Sequence, residues 1–347
     1  MKAKNVLSYS LFCFMLVLTF GCDKDEDCRP EKDKQIIVHL AGESFDGDTY
    51  RAAYWRNGSR TFLQPPGGDG LATSLKVKDG DVYIAGIDFT SNPYKAVLWK
   101  NSTVNRIIDG SVNNYDVRIE FSGVDLYSAC SQWDGDEIAY YKNNTKAGTI
   151  EGQLNALCVV GNDVYISGNY HNPLNENSPV YPMFWKNGVG TTLFPAQMDV
   201  SATATDIFVN GNDVYVCGFI DHKNPSKADE AFLWKNGTLT ILPSAGNAKA
   251  TKNSLHGNDV FIAGYSSETI GGPSHATYWK NGSPVVLDNS TKNSTLSDLA
   301  ISEKGKIYAA GNLGDAFNAT VWIDGVVDGI MNGSPIGAIY CIALEEY

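Results

Sequence analysis

Asp213-Val214-Tyr215-Val216-Cys217-Gly218, followed after a polar stretch by Trp234-Lys235-Asn236-Gly237, is the passage whose reading decides the fold. The first phrase recurs at Asp81–Gly86 and Asp163–Gly168, with looser copies at Val38–Gly42, Asp125–Cys130, Asp259–Gly264 and Lys306–Gly311. The second recurs at Trp99-Lys100-Asn101, Trp185-Lys186-Asn187-Gly188 and Trp279-Lys280-Asn281-Gly282. Trp55-Arg56-Asn57-Gly58, Tyr141-Lys142-Asn143 and Trp322-Ile323-Asp324-Gly325 complete seven copies. Most spacings fall at roughly 40–50 residues, the period of four-stranded propeller blades.

Working outward from Asp213, each unit reads as four short strands. Asp206–Val209 is apolar, Asn210-Gly211-Asn212 turns the chain, and Val214–Cys217 follows with apolar residues on both faces. A polar loop leads to Ala231–Trp234, Asn236-Gly237 supplies the positive φ of a tight hairpin, and Thr238–Leu242 closes the unit. Such strands, without helical periodicity, predict an all-β fold. Both faces of a propeller blade pack on neighbours, which accounts for the missing in/out alternation.

The first unit starts at its second strand, Ile36–Gly42, and a spare strand, Ile336–Leu344, follows the last. The expectation is a seven-bladed β-propeller of four antiparallel strands per blade, spanning residues 35–347, with the C-terminal strand joining the N-terminal blade so that no sheet edge is left at the seam.

Residues 1–21 read as a signal peptide: Lys2 and Lys4 precede an apolar run from Leu11 to Phe20. Leu18-Thr19-Phe20-Gly21-Cys22 resembles a bacterial lipobox, which implies lipidation at Cys22 and an anchor in the outer membrane. Asp23-Lys24-Asp25-Glu26-Asp27 is similar to the acidic export signal of Bacteroidetes surface lipoproteins, which implies exposure at the cell surface. Residues 22–34 would then be a charged tether.

The chain has 27 basic and 39 acidic residues, a formal charge of −12; loss of Lys2 and Lys4 with the signal takes this to about −14. Nucleic acid is therefore not an expected partner. Cys130, Cys158, Cys217 and Cys341 fall in strands and lack metal-ligand spacing.

Ala231-Phe232-Leu233-Trp234-Lys235-Asn236-Gly237, with looser copies at Ala276–Gly282 and Ala96–Trp99, resembles the extracellular repeat named for its His-Ala-Phe phrase. That resemblance implies a secreted propeller and no particular activity.

Residues repeated in every unit are assigned to packing; those that break the pattern are candidates for function. The long loops, between strands two and three and from strand four to the next blade, share one rim, where function on β scaffolds concentrates. Nine residues before the strand-two aromatics stand Ser74, Arg118, Ala156, Asp206 and Lys252, and blade seven places Asp298 there. Arg118, Asp206, Lys252 and Asp298 could grip a polar ligand at the channel mouth, or neutralise one another. Trp133, the one Trp outside the repeated position, and Tyr115, Tyr170, His171, His222 and Tyr265 are rim candidates for stacking on sugar rings or anchoring a protein; Phe89 and Tyr94 lie there too. Asp46-Gly47-Asp48 and Trp133–Glu137 resemble fragments of calcium loops without the full ligand series. No other cofactor is expected.

Three functions remain open. The first is a non-catalytic surface lipoprotein whose rim binds a glycan or protein. The second is a polysaccharide hydrolase or lyase using two carboxylates, or a carboxylate with His171 or His222. The third is a structural subunit of an outer-membrane complex. The oligomeric state is not readable from the sequence.

Overall fold

A computed structural model describes residues 34–63, 68–111, 113–132, 137–171, 180–195, 200–314, 318–328 and 337–347. The segments expected to be a signal peptide and a charged tether, with Cys22 as the expected lipidation site, lie outside them except for Lys34. The described strands form seven four-stranded antiparallel sheets. Blade 1 joins the C-terminal strand Gly337–Glu346 to Ile36–Phe45, Tyr50–Arg56 and Ser59–Phe62. Blades 2 to 7 run in chain order, with innermost strands Gly70–Lys78, Asn114–Ser122, Gln153–Val160, Val200–Asn210, Ala248–His256 and Ser294–Ile301. Each innermost strand packs against the next, and Gly337–Glu346 packs against both Ser294–Ile301 and Gly70–Lys78, so the ring closes. The seam pairs Leu40 with Ile342 and Ile37 with Glu345.

The core sits between blades rather than within them. Each of the seven buried apolar clusters among the described residues is drawn from two neighbouring blades. Ala41, Tyr54 and Cys341 of blade 1, for example, meet Leu75, Ile84 and Trp99 of blade 2. The repeated Trp is buried in each copy, with Trp55, Trp279 and Trp322 fully inaccessible. A buried aromatic of roughly 150–250 Å² contributes about 4–6 kcal/mol before entropic costs, so these interfaces dominate stability.

The two repeated phrases form one interlocked device. Asn236 and Gly237 both take positive φ, 46° and 94°, as a type I′ hairpin requires. The Asn236 Oδ1 accepts the Val214 N–H at 2.9 Å, and its Nδ2 donates to Asp213 Oδ1 at 2.7 Å. Lys235 pairs with Asp213 Oδ2 at 2.8 Å and lies 4.6 Å from the Tyr215 ring centroid. The Asp-Asn bond and the Lys-Asp pair recur in blades 2, 3, 4 and 6. Asp, Tyr, Lys and Asn therefore co-occur because each completes the contacts of another.

The phrase-ending glycine has a separate cause. Opposite it, every innermost strand except that of blade 3 carries a β-bulge. A Cβ at Gly218 would overlap the Thr203 carbonyl oxygen, and Gly86, Gly168, Gly264 and Gly311 face the same obstruction. In blade 3 the bulge lies further toward the long loops, between Asn114 and Asp116, and Cys130 pairs regularly with Val117. There a side chain fits.

Candidate ligand-binding cavity

The innermost strands enclose a cavity of about 680 Å³ along the ring axis. All six positions counted from the strand-two aromatics line it: Ser74, Arg118, Ala156, Asp206, Lys252 and Asp298. The bulges explain this convergence, because each turns one extra residue of its strand onto the cavity wall. Four of these, Thr73, Asn155, Thr205 and Thr251, donate side-chain hydrogen bonds to the next blade, reaching the carbonyls of Val117, Ala204, Ala250 and Leu296 at 2.6, 2.8, 2.9 and 2.9 Å. The bulge residues of blades 3 and 1 are Tyr115 and Tyr340, 59% and 36% exposed toward the long-loop mouth. Tyr340 is held by a 2.8 Å bond from its hydroxyl to Glu43.

The carboxylates are built into the wall. Asp206 Oδ2 accepts the Asn253 N–H of the next blade at 2.9 Å, and its Oδ1 receives Lys252 Nζ at 3.0 Å. Asp298 repeats the link from blade 7 to the closing strand of blade 1: Oδ2 accepts the Ile342 N–H at 3.0 Å, and Oδ1 accepts the Leu299 N–H at 2.8 Å. Asp116 accepts the Val117 N–H at 2.7 Å and holds Arg118 through Oδ2, 3.1 Å from Nε and 2.7 Å from Nη2. Arg118 Nη1 in turn donates to the Thr73 carbonyl at 2.6 Å. At the opposite end Lys76 pairs with Glu120 at 2.6 Å.

Burial pushes the Asp298 carboxyl above its ordinary range, against the pull of Lys252. Burial does the same to Asp116 despite the adjacent guanidinium. Burial opposes the charge on Lys252, but Asp206 and Asp298 outweigh it and hold the ammonium above the usual lysine value. Arg118 is raised in the same way, Asp116 overcoming desolvation. Burial lifts the Cys158 and Cys341 thiols at the cavity wall to about 11 and 12. The four ring cysteines are free thiols.

The structure does not bring the other candidates to this cavity. Tyr170 closes its strand with its ring 6.3 Å from that of Tyr181 and packs on a core cluster. His222 pairs with Glu230 at 3.1 Å. Tyr265 is a half-buried strand residue whose phenol is raised to about 12 by burial. His171 is half-buried and does not line the cavity. Phe89 and Tyr94 pack edge-to-face at 5.0 Å as a local core. Trp133 lies outside the described residues, as do Asp134 to Asp136. Asp46 is engaged by its own turn, accepting the N–H groups of Asp48 and Thr49 at 3.0 Å. Among the described residues no three His, Cys, Asp or Glu side chains cluster as metal ligands.

Asp116 and Tyr340 escaped the sequence reading. Counting from the strand-two aromatic assumes one bulge position in all blades, and blade 3 departs from it; the signal was Cys130 in place of glycine. Tyr340 stands in the strand that crosses the seam, where no strand-two aromatic of the same unit gives a count.

No family model matches the chain, and no curated protein matches it. Among solved structures it is similar to the β-propeller domain of the Trilobed protease from Pyrococcus furiosus, at 11% identity and a TM-score of 0.55, covering 86% of this chain and 96% of that one. It is also similar to an acylaminoacyl peptidase from Pyrococcus horikoshii, at 14% identity and a TM-score of 0.52, covering 86% of this chain. The chain spans 51% of that peptidase and 42% of a prolyl endopeptidase that it also matches, at 12% identity over 75% of its own length with a TM-score of 0.46. At these identities the likeness is one of fold: an all-β, seven-bladed propeller. The Trilobed protease propeller has an open velcro topology, whereas here a C-terminal strand pairs along the N-terminal one.

Proposed function

We propose that this protein is a non-catalytic binding propeller, anchored through Cys22 at the bacterial cell surface, that takes a glycan or protein ligand at the mouth of its axial cavity. The observation that carries the reading is the division of labour in the wall. Each carboxylate oxygen of Asp206 and Asp298 already accepts a hydrogen bond, while Arg118 and Lys252 keep 29% and 38% of their side chains accessible. Carboxylates committed to joining blades suit a fixed binding wall better than the acid and base of a hydrolase. His171 and His222 do not line the cavity, so no histidine stands beside its carboxylates.

The ring's own ends, Gln35 and Tyr347, meet on the tight-turn side, bonded backbone to backbone at 3.0 and 3.2 Å. A lipid anchor ahead of Gln35 would therefore join the ring on the side opposite the long loops. A glycan array and a crosslinked pull-down, both with the chain from residue 23 onward, test the binding reading. Ligand capture that survives Tyr115→Ala and Lys252→Gln together would move the site off the cavity. Failure of Cys22→Ala to alter membrane partitioning would remove the anchor.

A further inference from the structure

We propose that the cavity receives the carboxylate of an acidic sugar residue, with Arg118 and Lys252 as its partners; this rests on the binding reading above and narrows it to a ligand class. A guanidinium has five N–H donors. In Arg118 three are engaged, two by Asp116 and one by the Thr73 carbonyl, which leaves two. An ammonium has three, and Lys252 gives one to Asp206. The unspent donors belong to the accessible cations, whereas the Asp206 and Asp116 side chains are only 3% and 11% exposed. A ligand therefore meets donors first, with negative charge held behind them by backbone N–H groups. An anionic oxygen is the group such a surface receives best.

The charge of the wall sets how much anion it accepts. Arg118, Lys252 and Lys76 face four carboxylates, Asp116, Glu120, Asp206 and Asp298, in one cavity. That surplus penalises a dianion such as phosphate more than a monoanion. The rest of the wall points to a saccharide. The Thr73, Thr205 and Thr251 hydroxyls donate to carbonyls and retain lone pairs that can accept from sugar hydroxyls. A peptide C-terminus brings few such donors. Tyr115, 59% exposed at the mouth, offers an aromatic face for the apolar side of a pyranose. A volume of about 680 Å³ lies within the usual range of small-ligand sites, roughly 300–1,000 Å³.

The test is calorimetric titration of the full chain in detergent with the methyl glycoside of galacturonate, the matched neutral methyl galactoside and a tetrapeptide with a free C-terminus. The galacturonate glycoside, a monoanion, should bind at least ten-fold more tightly than the galactoside and weaken several-fold as salt rises from low to high. Lys252→Gln should cut that preference several-fold, Arg118 remaining as the second partner, with thermal unfolding as the check on folding. If that variant does not fold, the salt dependence and the loss of uronate binding in Tyr115→Ala decide the matter. Equal affinity for the two sugars, or tetrapeptide binding without uronate binding, would overturn the carboxylate assignment and leave the binding reading standing. Absence of binding by all three probes would overturn the assignment, and the broader reading would then stand or fall on the array and pull-down.

Discussion

The Asn236 carboxamide donates to Asp213 at 2.7 Å while accepting the N–H of the residue next to it, Val214. One side chain thus ties the hairpin between strands three and four to the start of strand two. It does so from the left-handed region, at φ 46°, which asparagine tolerates and most residues do not. Asn236→Ala should lose both bonds and incur the left-handed penalty, lowering stability by about 1–3 kcal/mol. Asn236→Gly should lose the bonds without the penalty and fall between. Urea midpoints of the two variants separate the terms, and equal midpoints would show that the backbone conformation contributes nothing.

Gly218→Ala tests the bulge. The added methyl meets the Thr203 carbonyl and the Phe232 ring, so overpacking should cost about 1–3 kcal/mol. Gly237→Ala, where open space surrounds the added carbon but φ is 94°, should cost through backbone strain. A crystal structure of the Gly218 variant should show the bulge displaced, whereas the Gly237 variant should leave it in place.

Asp298 joins blade 7 to the strand that closes the ring by accepting the Ile342 N–H. Asp298→Ala leaves that buried donor unpaired and should destabilise by about 1–3 kcal/mol. Asp298→Asn keeps one acceptor oxygen and should recover part of the loss. Hydrogen exchange at Ile342 reads the effect directly: faster exchange in the Ala variant is expected, and an unchanged rate would show that Asp298 does not hold the closing strand.

His39 sits 1% exposed in blade 1, its Nδ1 2.7 Å from the Tyr54 hydroxyl and its Nε2 3.3 Å from Glu345. Burial lowers its pKa from 6.5, outweighing the opposite effect of Glu345. The unfolded imidazole therefore takes up a proton at higher pH than the folded one. The resulting stability is present above about pH 6.5 and is lost as pH falls toward the folded value. Melting temperatures of His39→Gln between pH 7 and pH 5 should fall less steeply than those of the wild-type chain; parallel slopes would assign the acid sensitivity elsewhere.

Much of the architecture was legible because packing requirements repeat. Each blade must present two apolar faces, so the Trp and the strand-two aromatic recur and announce the number of blades. The closing strand was legible as a surplus, one β segment with no unit of its own. It extends to Glu346 rather than Leu344 because Ile36 and Ile37 pair with Glu346 and Glu345. The charged ring around the axis was legible by counting from a repeated aromatic. Its wiring was not. That Asp206 and Asp298 bond the next blade's backbone depends on inter-blade geometry that no spacing encodes. Asp116 was invisible because a bulge can slide along its strand without changing composition. The placement of Tyr170, His222 and Tyr265 was not legible for a related reason: strand ends run further than the turn residues suggest, which carries these three into sheets.

The bonds between Gln35 and Tyr347 extend the pairing of the two innermost strands of blade 1, so the seam is one such pairing among seven, distinguished by a break in covalent continuity rather than by its contacts. Circular permutation should therefore be tolerated. Linking those two ends with a few residues and opening the chain at the Asn236-Gly237 hairpin would move the cut to another blade while every sheet keeps its four strands. Such a permutant leaves the axial wall untouched and makes the closing strand of blade 1 contiguous in sequence with the rest of its sheet.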